Sequence, residues 1–476
     1  MQNTLLLTLA LFAGPDAPDN PRSTPEWVAS AAAALADIGD APSIRFVVCR
    51  DAAELAAVSF MVNSVVSHSP NIQRLRAVAP DVYALDLATL ECDGATWESL
   101  ANAEPYFHER ASKLETVKPF VHTDGKTYNQ RRVWHYVAAE RLGADLVALS
   151  LATSSNVPIV RGDWLVSVLS QNINGGRYYA FRKLQAGTTK LDPYLDSRGA
   201  SRKQAERLRV DERIGLLSLV TAKPRAIQIY QSAGTRATAG PSYAAITEDI
   251  FDENLDPTSD AFRQLIDLRA DGREVMVSMP NGLIEWTLFD AAGTLVNTAP
   301  DNLVRDHKIP APYTARLNGI ISCVRCHGPN NGWQPAANEV LTGRADIAGG
   351  QQLVAALAAR YAYDPADMLE TFDLARGAFS KNVFQATRLD AREASAAVSS
   401  VFDAYEYQTI TLAQAAKEIG LKDVSQMPQI VGADDPIILR LYNTRLDLET
   451  GKRVGLRITR RQFEQIYDSL AKRVSR

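Results

Sequence analysis

The chain carries Cys323-Val324-Arg325-Cys326-His327, two thiols three residues apart with an imidazole directly behind the second. On a helix, residues at that spacing lie about one turn apart on one side of the backbone, and the following residue projects beside them. Two such thiols can add across the two vinyl groups of a porphyrin, and the imidazole then reaches the iron from one face. That is the chemistry of covalently attached haem. With four Cys and six His in 476 residues, a chance match to the pattern is about a 1-in-2,000 event.

Two other uses of C-x-x-C fit less well. A structural zinc ion wants four ligands, and the other cysteines, Cys49 and Cys92, lie far upstream without a paired spacing. A thioredoxin-like pair opens a helix after a strand, whereas Leu317 to Ser322 precedes this motif and Gly328-Pro329-Asn330-Asn331-Gly332 follows it. The expected cofactor is therefore one haem c, anchored by Cys323 and Cys326 with His327 as proximal iron ligand. A sixth ligand of Met raises the potential and His lowers it. Met427, before Pro428 in an expected loop, and Met368, in an expected helix, are the downstream methionines. His307 and an open or water-bound position complete the choice, which stays open.

Other residues point less firmly to chemistry. His108, His122 and His135 are too widely spaced for a helical metal pair, and no H-E-x-x-H occurs. Cys49 and Cys92 read as buried thiols, with a disulfide as the alternative in an exported chain. Arg161-Gly162-Asp163 reads as a helix start. No G-x-S-x-G, P-loop or G-x-G-x-x-G appears, so hydrolase and nucleotide-dependent readings have no support.

The elements that must position the motif follow from pattern. With 46% hydrophobic and 22% charged residues, the chain has the composition of a packed globular protein. A net charge of −4 gives no basic footprint for nucleic acid. Residues 1–17 open with an apolar run, Met1 to Gly14, of signal-peptide length and too short to span a bilayer, though without Lys or Arg. Export, to the periplasm or beyond, is the expected location, with no later membrane span.

The fold expected is α+β, a mixed α/β N-terminal region followed by an all-α cytochrome c-like C-terminal domain. Residues 24–150 form the first unit, with a helix over Glu26 to Ile38, a strand over Ile44 to Cys49 and a helix capped by Asp51. Strands over 76–79 and 82–87, a short helix from Ala95 and a helix over 131–150 interrupted at Gly143 complete it. Residues 151–311 are strand-rich, with a helix over Gly162 to Ser170. Strand-like runs cover 177–181, 216–220, 226–230, 274–278, 283–289 and 294–297, and a charged helix covers Ser201 to Arg213. Residues 312–476 are expected to be helical around the motif, including Ala391 to Tyr407, Thr411 to Ile419, Pro436 to Leu448 and Arg461 to Val474.

Several stretches together resemble a family of large exported proteins of planctomycete-type bacteria that carry one cytochrome c motif in the C-terminal third. They are Phe60 to Ser64, Val78 to Asp81, Trp97 to Leu100, Pro105 to His108, Val157 to Trp164, and Leu317 to Gly319 leading into Ser322 to His327. The resemblance implies shared architecture over most of the chain after residue 40. Functional meaning is carried over to Cys323, Cys326 and His327 alone. His68 is given no role. The expected function is electron transfer to a redox partner protein. The alternatives are a haem-based small-ligand sensor and an exported interaction protein whose motif is unfilled.

Overall fold

The structure, a computed structural model, describes residues 24–38, 42–100, 114–121, 127–132, 138–173, 175–199, 209–215, 225–231, 243–249, 272–299, 306, 308–309, 319–333, 365–418, 421, 444–446, 453–455, 458–460 and 463. It is a mixture of helices and sheets, an α+β architecture.

The first unit begins with α1 (Thr24–Ile38) and β1 (Ile44–Val48), whose β-branched and aromatic residues suit a buried strand. Asp51 then caps α2 (Ala52–Met61), its carboxylate accepting from Glu54 N at 2.8 Å. The helix runs on as a π-helical turn, Val62–Val66. Next come β2 (Arg76–Ala79), β3 (Val82–Asp86), α3 (Gly94–Glu98), the hairpin of β4 (Leu114–Val121) and β5 (Thr127–Arg132), and α4 (Ala138–Thr153). β6 (Ile159–Arg161) pairs parallel to β1, while β3 pairs antiparallel to it, giving the order β2-β3-β1-β6. One sheet thus draws on residues either side of position 150.

Arg161-Gly162-Asp163 is the turn from β6 into α5 (Gly162–Leu169), as a helix start requires. Arg161 holds Asp163 through two bonds, Nε to Oδ1 at 3.0 Å and Nη2 to Oδ2 at 2.6 Å, with both residues buried. A Cβ on Gly162 would stand 2.8 Å from Glu54 Oε1 and 2.9 Å from the Val48 carbonyl. Only glycine lets α5 lie this close to α2.

After α6 (Tyr178–Phe181) and α7 (Leu191–Ser197), five strands form an antiparallel meander. They are β7 (Arg209–Gly215), β8 (Arg225–Gln231), β9 (Tyr243–Asp249), β10 (Gly272–Ser278) and β11 (Ile284–Asp290). The C-terminal part supplies α8 (Gly319–His327), α9 (Pro365–Thr387), α10 (Ala391–Glu406), β12 (Thr409–Ile410), α11 (Leu412–Glu418), β13 (Thr444–Leu446), β14 (Arg453–Gly455) and β15 (Ile458–Thr459). One buried cluster runs through Val47, Phe60, Leu165, Val275, Ile284, Val324, Phe379 and Phe402. It joins the first sheet, the meander and the C-terminal helices.

Several expectations need correction. Tyr178 to Phe181 is helix, because Tyr178 and Phe181 bury themselves in the core and that packing overrides their strand preference. Arg209 to Arg213 is strand; the charged composition hid the alternation of Val210 and Ile214 with Arg209, Asp211 and Arg213. β9 was not anticipated at all, and 294–297 makes isolated bridges at Thr294 and Leu295. α4 passes through Gly143 without interruption, and Arg131 belongs to β5. The C-terminal part is not purely helical, since β12 pairs with β15 and β13, inside the expected helix 436–448, pairs with β14.

Candidate haem-attachment site

α8 is the helix that Cys323 to His327 was expected to occupy, and it ends on the motif histidine. The chain then makes a 3-10 turn, Gly328–Asn330, and reverses through Asn331 at φ 59° and Gly332 at φ 79°. Gly332 N donates to His327 O at 3.0 Å, closing the C-terminus of the motif. The two glycines serve close packing: a Cβ on Gly328 would collide with Ser395, and one on Gly332 would come within 2.5 Å of Ile284 Cδ1. Trp333 follows, buried in the core.

Cys323 is 3% exposed, and its Sγ lies 3.3 Å from Gly319 O and 3.5 Å from Glu274 Oε1. Burial, and after it the Glu274 carboxylate, push this thiol well above the ordinary range, so it is protonated. Cys326, one turn on, is half-buried. His327 Nε2 stands 3.6 Å from the same Glu274 Oε1, and its Nδ1 is buried with no hydrogen-bond partner among the described residues. Thiol and imidazole therefore converge on one point, marked by a carboxylate that β10 brings from 49 residues upstream of Cys323.

The other face of α8 is pinned by Arg325. Its guanidinium donates from Nε to Ser399 Oγ at 2.9 Å and from Nη1 to Asp306 Oδ2 at 2.9 Å, and from Nη2 to Asp403. Asp306 also accepts from Ser322 Oγ at 2.8 Å, and the guanidinium lies 5.5 Å from the Phe402 ring centroid. These contacts clamp α8 to α10.

The residues present fit a covalently held haem on the chemistry of their donors. Two sulfurs one turn apart are followed directly by an imidazole whose Nε2 lies on the Cys323 side of the helix, beside Glu274 Oε1. Among the described residues, no group of three or more His, Cys, Asp or Glu side chains could hold a bare metal ion. Met368 lies in α9, as expected, with its side chain outside the described residues, and Met427 and His307 lie outside them altogether. So do His108, His122 and His135. Cys49 and Cys92 are buried thiols and no disulfide joins them. Burial raises both, Cys92 to about 12.

Sequence reasoning missed Glu274, Asp306, Ser399 and Asp403. An arginine inside the motif, on a helix destined to be buried, was the available signal that acidic partners must exist. Nothing in the spacing said where. No family model matches the chain, and no curated protein or solved structure does either.

Proposed function

We propose that the protein is an exported monohaem c-type cytochrome that passes electrons to a redox partner protein. The observation that carries this reading is the convergence of Cys323 Sγ and His327 Nε2 on one side of α8, with Cys326 one turn from Cys323. Haem, when bound, supplies a one-electron iron couple whose potential depends on axial ligation and burial.

The rest is work for the chain's own side chains. Cys323 anchors from the buried side of α8 and Cys326 from the half-exposed side, while His327 presents Nε2 toward the same space. Arg325 fixes α8 against α10, so the imidazole cannot swing away as charge changes beside it. Because Cys323 is buried in the folded chain, its sulfur would have to meet the haem before the core closes around it. The haem-bearing part is the helical set α8, α9 and α10, with Met427 and Met368 as candidates for the sixth ligand. Residues 1–17 supply the export signal. Among the described residues, no helix is long and apolar enough to cross a membrane.

The test is a redox titration of full-length protein matured with a cytochrome assembly system, followed by absorbance. A reversible one-electron change with little response to carbon monoxide is expected. Ready carbon monoxide uptake by the reduced protein would move the assignment to ligand binding, and no reversible couple would end the electron-carrier reading.

A further inference from the structure

A cavity of about 450 Å³ opens beside α8 on the side of Arg325, lined also by Lys308, Arg392, Ser399, Ser400 and Asp403. Arg325 is two residues, or roughly 200° of helix, from both Cys323 and His327, so this space lies across α8 from the candidate haem side. The volume falls in the range of about 300–1,000 Å³ that holds small molecules. α10 shapes the wall: Arg392, Ala396, Ser399 and Asp403 recur at helical spacing, and the small residues among them leave a hollow between two cations.

Arg325 is charge-paired in this hollow by Asp306 and by Asp403, itself a lining residue, and the surplus positive charge comes from the two rim cations. A guanidinium has five N–H donors, and Arg325 spends three of them on Ser399, Asp306 and Asp403. Its remaining donors belong to a buried cation lining the cavity. Lys308 and Arg392 are exposed at the rim. Among the described residues neither side chain is hydrogen-bonded to a carboxylate, although Lys308 acts through space on the Asp403 carboxylate in the same wall. Two rim cations and a buried guanidinium facing a hollow lined with hydroxyls are the arrangement that carboxylate and phosphate oxygens seek.

We infer that this cavity binds a small organic anion bearing carboxylate or phosphate groups. The inference stands apart from haem attachment, because its readout is heat of binding and needs no chromophore.

The experiment is calorimetric titration of the full-length protein at low salt with citrate and, separately, with inorganic phosphate. Saturable one-to-one binding of at least one probe is expected; citrate alone assigns carboxylates, phosphate alone assigns phosphate esters. Lys308→Gln/Arg392→Gln, at two exposed positions, is expected to weaken binding at least about tenfold. Ala396→Trp fills the hollow without changing charge and is expected to do the same, with circular dichroism unchanged in both variants. Failure of both probes to saturate overturns the inference. So does unaltered affinity in either variant, since binding that survives Ala396→Trp is attraction to surface charge.

Discussion

Arg325 occupies a position that the C-x-x-C-H pattern leaves open, yet its side chain is 2% exposed and is the main tie between α8 and α10. Removing one partner of a buried pair leaves the other charge uncompensated, which costs about 3–5 kcal/mol. Arg325→Ala is expected to lower stability by that order, read from the urea midpoint, and a midpoint within experimental error of wild type would contradict the clamp. His68 offers a pH test at the same scale. Its Nε2 donates to Phe181 O at 3.0 Å, and burial, then Arg182, push the ring down to about 4 from an ordinary 6.5. As pH falls through that window the unfolded chain takes up a proton that the folded chain refuses. Stability therefore drops on acidification from pH 6.5 toward 4. His68→Gln should flatten that part of the stability profile. Glu285 stays ionised throughout, because Arg182 and Arg198 outweigh its burial and hold it at about 2. The pattern at Cys323, Cys326 and His327 was legible because it is local, and the haem chemistry read from it is the proposal that the intact mass of matured protein tests. Glu274, Asp306 and Asp403 were not, since an acidic partner is defined by the folded path of the chain.

Helix and strand starts show the same division. Asp51 was readable as a cap because the signal is local, and Ala391 to Glu406 was readable because its apolar positions repeat at helical spacing. Residues 226–230, 274–278 and 283–289 were readable as strands from their β-branched and aromatic content. Tyr178 to Phe181 and Arg209 to Arg213 were misread because composition competed with packing in one and with alternation in the other. The contact of α5 with α2 supplies the prediction at this scale. Gly162→Ala forces a Cβ against Glu54 Oε1 and the Val48 carbonyl, and overpacking of this kind costs about 1–3 kcal/mol. Thermal denaturation of the variant should show a lowered midpoint; an unchanged one would mean that α5 does not sit this close to α2.

At the scale of the whole molecule, the three regions read from the sequence share one buried cluster. Val47 of β1, Val275 of β10, Val324 of α8 and Phe402 of α10 all belong to it. On that continuity, unfolding is expected to be cooperative across the described regions that the cluster joins. In urea, tryptophan fluorescence and circular dichroism should report coincident transitions, and residues 312–476 expressed alone should lack a cooperative transition. Two well-separated transitions would contradict this. Cys323 is sealed inside the same cluster, so on the proposed function haem attachment would be tied to folding. The most direct test of the central claim is the intact mass of protein exported and matured with a cytochrome assembly system. Wild type should gain the mass of one haem and stay coloured on a denaturing gel, and Cys323→Ala/Cys326→Ala should do neither. Properly matured wild type that is colourless, at apoprotein mass and with both motif thiols open to alkylation would contradict it.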